Sequence, residues 1–418
     1  MTVRTLEDWL RWQETLHPRS IELGLERVRT VAARLHLPDP RPVTLTIAGT
    51  NGKGSSAHLA ALIYREAGYR VGLYTSPHLL RYNERVRIDG VEATDAELCA
   101  AFEAVEQARG ECALTYFEFG TLAALWLFRE HKVDVQVLEV GLGGRLDAVN
   151  LVDADTALIT SIGLDHLDWL GPDRESIARE KAGVFRPDRP AIVAEPDPPR
   201  SLFDVATAVA APLRLIGRDF RIHAHDAGFD WQGRAWTLHA LPRPGIPGEA
   251  QLRNAAGVLA AIEALASRRP VGEDAIRRAL PRLSVPGRCE LRGNVVLDVA
   301  HNHESALVLA QYLASLPTVA PTVLLLGMLA DKPHARIWEA LAPCVDAAVL
   351  VSLPGPRGLA AADLARRLGA VRVDLHCCAT MAEALAIARG RAGAKGRIVV
   401  TGSFLTVAAA MGELQRHG

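Results

Sequence analysis

Apolar and polar positions alternate along this 418-residue chain in blocks that predict strands and helices in turn. Short apolar runs rich in β-branched residues predict buried strands, and stretches with apolar residues at helical spacing predict the helices between them. The predicted strands cover residues 43–47, 71–75, 133–140, 156–161, 191–194, 295–302, 322–326, 347–351, 371–375 and 397–401. Such alternation indicates an α/β fold with mostly parallel sheets covered on both faces.

Residues 43–56 carry the strongest candidate for chemistry. An apolar strand is followed by Gly49-Thr50-Asn51-Gly52-Lys53-Gly54-Ser55 and by a stretch of helical composition from Ala57. This layout is typical of a phosphate-binding loop (P-loop), in which backbone N–H groups, a lysine and a helix N-terminus hold the phosphates. Gly54 stands where that pattern has a Ser or Thr for Mg²⁺, and hydroxyls follow only at Ser55 and Ser56. A plain glycine-rich turn is the alternative.

Polar side chains follow or close three further predicted strands, at Ser76, Glu139 and His166. At the carboxyl ends of parallel strands they would lie beside the phosphate loop, where Mg²⁺ binds. Glu139 closes an apolar strand, and a buried carboxylate is costly unless it meets a cation. The alternatives are a solvated serine, a structural ion pair and a structural histidine.

Two other positions are weaker candidates. Gly24, within Glu22-Leu23-Gly24, interrupts a helical stretch and marks either a helix N-terminus or a ligand-facing turn. Asn254, in the first turns of an apolar helix predicted from residue 251 to about 266, is either a cap or a contact to a nucleotide base.

The same pattern predicts two domains. Residues 1–37 predict helical pieces divided at Pro18, and residues 220–241 predict a hairpin. Pro286 and Gly287 centre the best linker, after which the strand–helix alternation restarts. We expect a P-loop nucleotide-binding domain over 1–281, a hinge over 282–290 and a smaller Rossmann-like α/β domain over 291–418, with a cleft between the domains.

Composition excludes several classes of function. The chain is 49% hydrophobic and 23% charged, and its net charge of −1 gives no global attraction to nucleic acid or to an anionic membrane. No run approaches the ~18 apolar residues of a membrane helix, and no apolar signal core follows the N-terminus. The six cysteines show no Cys-x-x-Cys spacing. We therefore expect reduced thiols in a cytoplasmic protein. We also expect a monomer, since no apolar surface helix demands a partner.

A set of motifs spans nearly the whole chain. They are GTNGKGS (49–55), SPHL (76–79), LEVGLGGRLDAVN (138–150), SIGLDHLD (161–168), REKAGVF (179–185), PGRCE (286–290), DVAHN (298–302) and TGSF (401–404). In this set and order the chain resembles the bifunctional dihydrofolate synthase/folylpolyglutamate synthase family of the Mur ligase superfamily. That family shows a glycine at the position of Gly54, which therefore ceases to count against nucleotide binding.

The resemblance implies an ATP-dependent amide ligase that uses two Mg²⁺ ions. ATP would phosphorylate a substrate carboxylate, and the amine of L-glutamate would attack the acyl phosphate. The carboxylate would belong to dihydropteroate in dihydrofolate synthesis, and to the γ-carboxyl group of a reduced folate in polyglutamylation. The expected partners are these small molecules, with no nucleic acid and no membrane.

The resemblance also assigns roles by motif. Those for ATP are Thr50, Asn51, Gly52, Lys53, Gly54, Ser55, Asn254, Arg288 and Asp298. Those for Mg²⁺ are Ser76 and Glu139 at one ion and His166 at the second, together with Lys181, which matches a lysine that the family carbamylates with CO₂. Those for dihydropteroate are Glu22, Leu23, Gly24, Thr115, Tyr116, Phe117, Glu118, Leu146, Asp147 and Ala148. Lys53, Lys181 and His301 are the implied catalytic residues.

Three alternatives stay open. A monofunctional folylpolyglutamate synthase would lack the dihydropteroate step, although segments 115–118 and 146–148 favour both activities. A Mur-type ligase of cell-wall peptides would share the P-loop, but the motif wording favours folate. A P-loop switch protein would only bind and hydrolyse nucleotide, and the Asn-Lys-x-Asp pattern of guanine selectivity is absent from the sequence.

Overall fold

A computed structural model describes residues 4–19, 21–37, 39 and 41–416, which form two compact units. The first holds the chain through His78, Tyr82–Gly245 and Gln251–Leu283, and the second holds Leu79–Arg81, Ile246–Ala250 and the chain from Ser284 onward. The predicted linker begins at Arg282, close to Ser284, from which the chain belongs to the second unit. The hinge over 282–290 and the domain limits 1–281 and 291–418 stay predictions.

The first unit is built on an eight-stranded sheet. Its strands are β1 Val43–Ala48, β2 Val71–Tyr74, β3 Val86–Ile88, β4 Val91–Glu92, β5 Val135–Glu139, β6 Thr156–Ile159, β7 Ala191–Val193 and β8 Leu213–Leu215. They follow the order β4-β3-β2-β5-β1-β6-β7-β8, parallel from β2 to β8 and antiparallel at β3 and β4. Every residue of β1 and β5 is buried, as expected for central strands covered on both faces.

Helices cover this sheet. They are α1 Leu6–Gln13, α2 Glu26–Arg34, α3 Lys53–Glu66, α4 Asp95–Arg109, α5 Tyr116–Glu130, α6 Leu167–Leu170, α7 Arg174–Ala182, α8 Arg200–Ala208, α9 Glu249–Leu265 and α10 Glu273–Ala279. Capping boxes start α4 at Thr94 and α5 at Thr115, where each threonine side chain accepts from a backbone N–H that is three residues on. In the described part of the chain, no helix combines the length and the apolar character of a membrane span.

The predicted hairpin over 220–241 is present, and a third strand extends it to a three-stranded antiparallel sheet. Its strands are β9 Arg221–His225, β10 Gly228–Gln232 and β11 Thr237–Leu241, in the order β11-β10-β9. Phe229 and Trp231 alternate on the central strand and are buried, and the Trp231 indole donates to the Ala256 carbonyl of α9 at 3.2 Å. The sequence therefore predicted the hairpin around Gly233 correctly, but it did not predict the additional strand β9, which a short turn joins to β10.

The second unit holds a six-stranded sheet in the order β12-β13-β17-β14-β15-β16. Its elements are β12 Glu290–Arg292, β13 Val295–Leu297, α11 His303–Ser315, β14 Thr322–Leu326, α12 His334–Leu341, β15 Ala347–Val351, α13 Ala361–Arg367, β16 Asp374–Cys378, α14 Met381–Ala392, β17 Arg397–Thr401 and α15 Phe404–Arg416. Only β12 is antiparallel to its neighbour. Leu324 and Leu325 enter different apolar clusters, so helices cover both faces. The predicted α/β class with mostly parallel sheets is confirmed.

The edge strand β16 begins later in the sequence than its composition suggested. The sequence predicted a strand over 371–375, whereas β16 begins at Asp374, which pairs with Ala347 of β15. The prediction of an earlier start rested on the β-branched residues Val371 and Val373. They lie just before the strand and pack against the core without joining the ladder.

Candidate active site

The glycine-rich turn joins β1 to α3 in four residues, Gly49 to Gly52. The helix begins at Lys53, four residues before the helical composition that starts at Ala57. Gly52 precedes it in a left-handed conformation with φ 85°. A β-carbon on Gly49 would overlap the Thr160 hydroxyl, so only glycine fits this approach between the turn and the chain after β6.

The segment after β6 holds the turn in shape. The Thr50 amide donates to the Ser161 carbonyl at 2.8 Å, and the Asn51 amide donates to the Ser161 hydroxyl at 2.9 Å. The Thr50 hydroxyl donates to the Gly163 carbonyl at 3.1 Å and accepts from the Gly163 amide at 2.9 Å. The GTNGKGS and SIGLDHLD motifs are therefore one structural unit.

Two lysines meet at a single carbonyl of this turn. Lys53 Nζ donates to the carbonyl oxygens of Gly49 at 3.0 Å and Thr50 at 3.1 Å, and Lys181 Nζ donates to the Gly49 carbonyl at 2.9 Å. Lys181 comes from the last turn of α7 and is only 5% exposed. Its burial and the nearby charge of Lys53 lower its pKa to about 7.

Glu139 lies at the end of β5, facing the start of α3. Its carboxylate is buried and accepts from the Ser76 amide at 3.1 Å. A β-carbon on Gly54 would lie 3.6 Å from both carboxylate oxygens, so the first turn of α3 approaches Glu139 without a side chain between them. The structure thus brings together Ser76, Glu139 and the P-loop, as the sequence predicted.

Asn254 borders the same turn from α9. A β-carbon on Gly52 would lie 2.5 Å from its Oδ1 atom, and its Nδ2 atom donates to Gln251 at 3.1 Å. The helix begins at Glu249, so Asn254 is not the N-cap. The cap alternative is therefore excluded.

The loop after β5 packs against α7. Gly144 lies so close to this helix that a β-carbon would come 2.8 Å from the Lys181 carbonyl. Asp147 is buried in the same loop and accepts from the amides of Leu142 at 2.8 Å and Val149 at 3.0 Å. Burial is the main cause that raises the pKa of Asp147 to about 7. The loop shape therefore depends on a buried carboxyl group.

The three segments assigned to dihydropteroate lie together. The Gly24 amide donates to the Leu146 carbonyl at 3.3 Å, which excludes a helix N-terminus at Gly24, since α2 starts only at Glu26. The Phe117 ring packs on the loop after β5, because a β-carbon on Gly141 would lie 2.6 Å from its Cζ atom. Segments 22–24 and 115–118 thus both contact the loop 141–148, which contains the third assigned segment, 146–148.

Arg27 joins two of these segments and was missed by the sequence analysis. Its guanidinium donates to the Glu22 carboxylate at 2.8 Å and to the Glu22 carbonyl at 2.9 Å. It also donates to the two carboxylate oxygens of Glu118, at 3.0 and 3.3 Å. Glu118 is 3% exposed and accepts from the Thr115 amide at 2.8 Å. The sequence signal was weak, because one arginine among several on a short amphipathic helix looks like a solvated residue.

His166 lies on the segment that follows β6. It precedes α6 in a left-handed conformation with φ 54°, and its exposed ring lies 4.0 Å from the Asp165 carboxylate. The remaining predicted residues of this unit take ordinary positions. Ser55 is buried in the first turn of α3, Leu23 and Tyr116 are half-buried, and Ala148 is buried at the start of a short 3₁₀ turn.

Three predicted residues belong to the second unit and cluster there. Arg288 lies over the Phe404 ring at 5.4 Å, and the His301 ring lies 5.9 Å from the same phenyl ring. Asp298 follows β13, is buried, and accepts from the amides of Cys289 at 2.8 Å and Ala300 at 2.9 Å. Burial raises the pKa of Asp298. One group of residues thus forms at the carboxyl end of β13.

Comparison with known proteins shows which family has this architecture. The Mur ligase middle domain model matches residues 47–262, and the Mur ligase glutamate ligase domain model matches residues 287–404. The E. coli (strain K12) dihydrofolate synthase/folylpolyglutamate synthase is 45% identical over 97% of this chain and 94% of its own length. The fold is that of a Mur ligase, a class of ATP-dependent ligases.

Solved structures agree. The structure named "E.coli FolC in complex with DHPP and ADP" matches with a TM-score of 0.94 and 44% identity, covering 99% of this chain and 98% of that one. A bifunctional folylpolyglutamate synthase/dihydrofolate synthase with Mn, AMPPNP and L-glutamate bound matches with a TM-score of 0.91 and 45% identity, at 99% and 98% coverage. The chain belongs to the dihydrofolate synthase/folylpolyglutamate synthase family.

The close approach at Gly49 gives a stability prediction. We expect Gly49→Ala to lower the free energy of unfolding by ~1–3 kcal/mol, because its methyl group overlaps the Thr160 side chain. Gly54→Ala is the matched control, since its β-carbon meets Glu139 at an ordinary 3.6 Å, and alanine inside a helix is favoured over glycine by ~0.5–1 kcal/mol. Urea unfolding of both variants measures the difference, and equal stability would contradict the tight approach.

Proposed function

We propose that this chain adds L-glutamate to dihydropteroate and to the γ-carboxyl groups of reduced folates, at the expense of ATP. The observation that carries the proposal is the P-loop of the first unit, with two lysines on one carbonyl and Glu139 at its helix, together with the assembled segments 22–24, 115–118 and 141–148. Relatives of the same fold bind DHPP with ADP, or AMPPNP with L-glutamate, which supports these substrates.

The proposed reaction has two transfers. A carboxylate oxygen of the folate substrate attacks the γ-phosphorus of ATP, so that ADP leaves and an acyl phosphate forms. The glutamate amine then attacks the acyl carbon, phosphate leaves, and the amine gives up a proton. Phosphoryl transfer depends on positioning and charge neutralisation more than on covalent help. Holding the reactants in line can supply ~7–11 kcal/mol of the barrier.

The P-loop supplies positive charge for the phosphates. Backbone amides from Gly52 to Ser55, at the N-terminus of α3, would hold the phosphate oxygens, and Lys53 would neutralise the outer phosphates. The amides of Thr50 and Asn51 donate to Ser161, so these two residues would shape the loop around the phosphates. Asn254 borders the turn and would contact the nucleotide. Arg288 and Asp298, on the second unit, would contact the nucleotide as well, and His301 would lie near the reacting groups.

The residues near the P-loop fit a divalent cation in part. Glu139 offers a buried carboxylate beside Ser76, and such hard oxygen donors suit Mg²⁺. His166 and an unmodified Lys181 offer only nitrogen atoms, so a second Mg²⁺ fits only if Lys181 is converted to a carbamate, which supplies oxygens. When bound, Mg²⁺ would neutralise phosphate charge. A relative with Mn bound supports a divalent metal in this fold.

Lys181 is suited to carbamylation. A pKa of about 7 leaves much of the buried amine neutral at neutral pH, and a neutral amine is the nucleophile that CO₂ requires. The nitrogen of the neutral amine bonds to the carbon of CO₂, and one proton leaves to solvent, so that a neutral amine becomes an anionic carbamate. We also propose that the protein is a monomer and that it acts in the cytoplasm.

Phosphate release tests the proposed function directly. We expect ATP-dependent phosphate release with Mg²⁺ and L-glutamate when either dihydropteroate or a reduced folate is added. Release with reduced folate alone would indicate a monofunctional folylpolyglutamate synthase, and release independent of glutamate would favour a nucleotide switch.

The P-loop lysine gives a second prediction. Lys53→Ala should lower the turnover number by ~10²–10³-fold, because the substitution removes a preorganised positive charge, and it should leave the melting temperature unchanged. Wild-type turnover in Lys53→Ala would refute the role of the P-loop.

Lys181 gives a pH prediction. Because its pKa is lowered, the amine is neutral above pH ~7 and protonated below it, so carbamylation is lost as the pH falls through ~7. We expect activity in bicarbonate-depleted buffer to fall, most strongly on the acid side, and bicarbonate to restore it. Lys181→Ala should be inactive and partly rescued by a small carboxylic acid such as acetate. An active, bicarbonate-independent Lys181→Ala would contradict the carbamate.

Arg27 gives a prediction on substrate binding. Arg27→Lys cannot form the same paired hydrogen bonds to Glu118, and each hydrogen bond to a charged group is worth ~1.5–3 kcal/mol. We therefore expect the KM for dihydropteroate to rise about tenfold or more, while the KM for ATP stays unchanged. Arg29→Lys, exposed on the same helix, is the control. Equal changes in both KM values would show that Arg27 only stabilises the fold.

A further inference from the structure

A second set of potential metal ligands lies in the C-terminal unit, on the edge strand β16 and the helix that follows it. His376, Cys378 and Glu383 each offer one ligand atom, and these atoms lie within 4.8 Å of one another. None of the three belongs to a motif that carries the family resemblance. The sheet order separates β16 from β13, so this cluster is distinct from Arg288, Asp298 and His301.

The strand presents two of the ligands on one face. His376 and Cys378 are two residues apart on β16, and side chains at that spacing point the same way. Asp374, on the same face, pairs with Arg391 of α14 at 2.7 Å, so this face turns toward α14. Hydrogen bonding in register with Val349 and Val351 of β15 makes the strand a rigid support.

The third ligand comes from the first turn of α14. The Glu383 amide donates to the Thr380 hydroxyl at 3.3 Å, and its carboxylate accepts from the Ala379 amide at 3.2 Å. These bonds orient the carboxylate toward the end of β16. A carboxylate has about four acceptor positions, so one amide leaves room for a metal.

We propose that His376, Cys378 and Glu383 bind Zn²⁺ and thereby tie β16 to α14. A sulfur, nitrogen and oxygen ligand set suits Zn²⁺, whereas Mg²⁺ takes hard oxygen donors. On binding, Cys378 releases its proton to solvent, and its thiolate and the Glu383 carboxylate together balance the charge of the ion. Cys378 is buried while His376 and Glu383 are exposed, so the ion enters from solvent with small movements of exposed side chains.

Three protein ligands leave the fourth tetrahedral position to water. Zinc bonds of ~2.0–2.3 Å bring ligand atoms closer together than 4.8 Å, the distance within which the three ligand atoms lie here. The exposed rotamers of His376 and Glu383 allow this without a shift of the strand. The site is independent of the proposed ligase reaction.

Cobalt titration of the full-length protein tests the site. Co²⁺ bound to a thiolate gives a near-ultraviolet charge-transfer absorption, which Co²⁺ at an oxygen and nitrogen site near the P-loop does not give. We expect one such site per chain, displaced by Zn²⁺, and a higher melting temperature with Zn²⁺. Absence of the absorption in the wild-type protein would overturn the proposal.

Variants separate this site from other thiols. Cys378→Ser should abolish the absorption, and His376→Ala and Glu383→Gln, both at exposed positions, should weaken Co²⁺ binding by at least the ~10–100-fold that loss of an outer partner costs. Cys377→Ser is the matched control, since its side chain points to the opposite face of β16. Loss of the absorption in Cys377→Ser, or unchanged binding in both His376→Ala and Glu383→Gln, would refute the site.

Discussion

The candidate active site is arranged around one backbone carbonyl, that of Gly49, which accepts from both Lys53 and Lys181. Burial penalises the charge of Lys181, and the ammonium group of Lys53 at the same carbonyl repels it further, so the pKa of Lys181 drops to about 7. The arrangement needs glycine at this point, because the turn passes against Thr160 with no space for a side chain. A short glycine turn therefore sets both a phosphate-binding loop and the chemistry of a distant lysine.

Sheet order explains why distant motifs meet. The strands β2, β5, β1 and β6 are neighbours and run parallel, so the residues at their carboxyl ends share one edge. Ser76, Glu139, the P-loop and Ser161 follow these strands in that spatial order. Hydrogen bonds from the P-loop to Ser161 and Gly163 then turn this proximity into a fixed geometry.

Segments 22–24, 115–118 and 141–148 rely on a different kind of contact. Arg27 reaches from α2 to the capping carboxylate Glu118 of α5 and to Glu22, and Gly24 bonds to Leu146. Charge-assisted hydrogen bonds between partly buried groups are stronger than exposed ion pairs, because water screens them less. The loop 141–148 also packs on α7, the helix that carries Lys181. Because Lys181 contacts the P-loop, the position of the proposed substrate segments is coupled to that of the P-loop.

The sequence by itself determined the α/β class, most strands, the P-loop and the family, because hydrophobic period and local motifs are properties of neighbouring residues. It did not determine the three-stranded sheet over 221–241, the start of β16, or the role of Arg27. Those depend on pairing registers and on partners far apart in the chain, such as Glu22 and Glu118. Likewise, only the tertiary structure placed Lys53 and Lys181 on one carbonyl, since a lysine's pKa follows from burial and neighbouring charge, which no local pattern encodes.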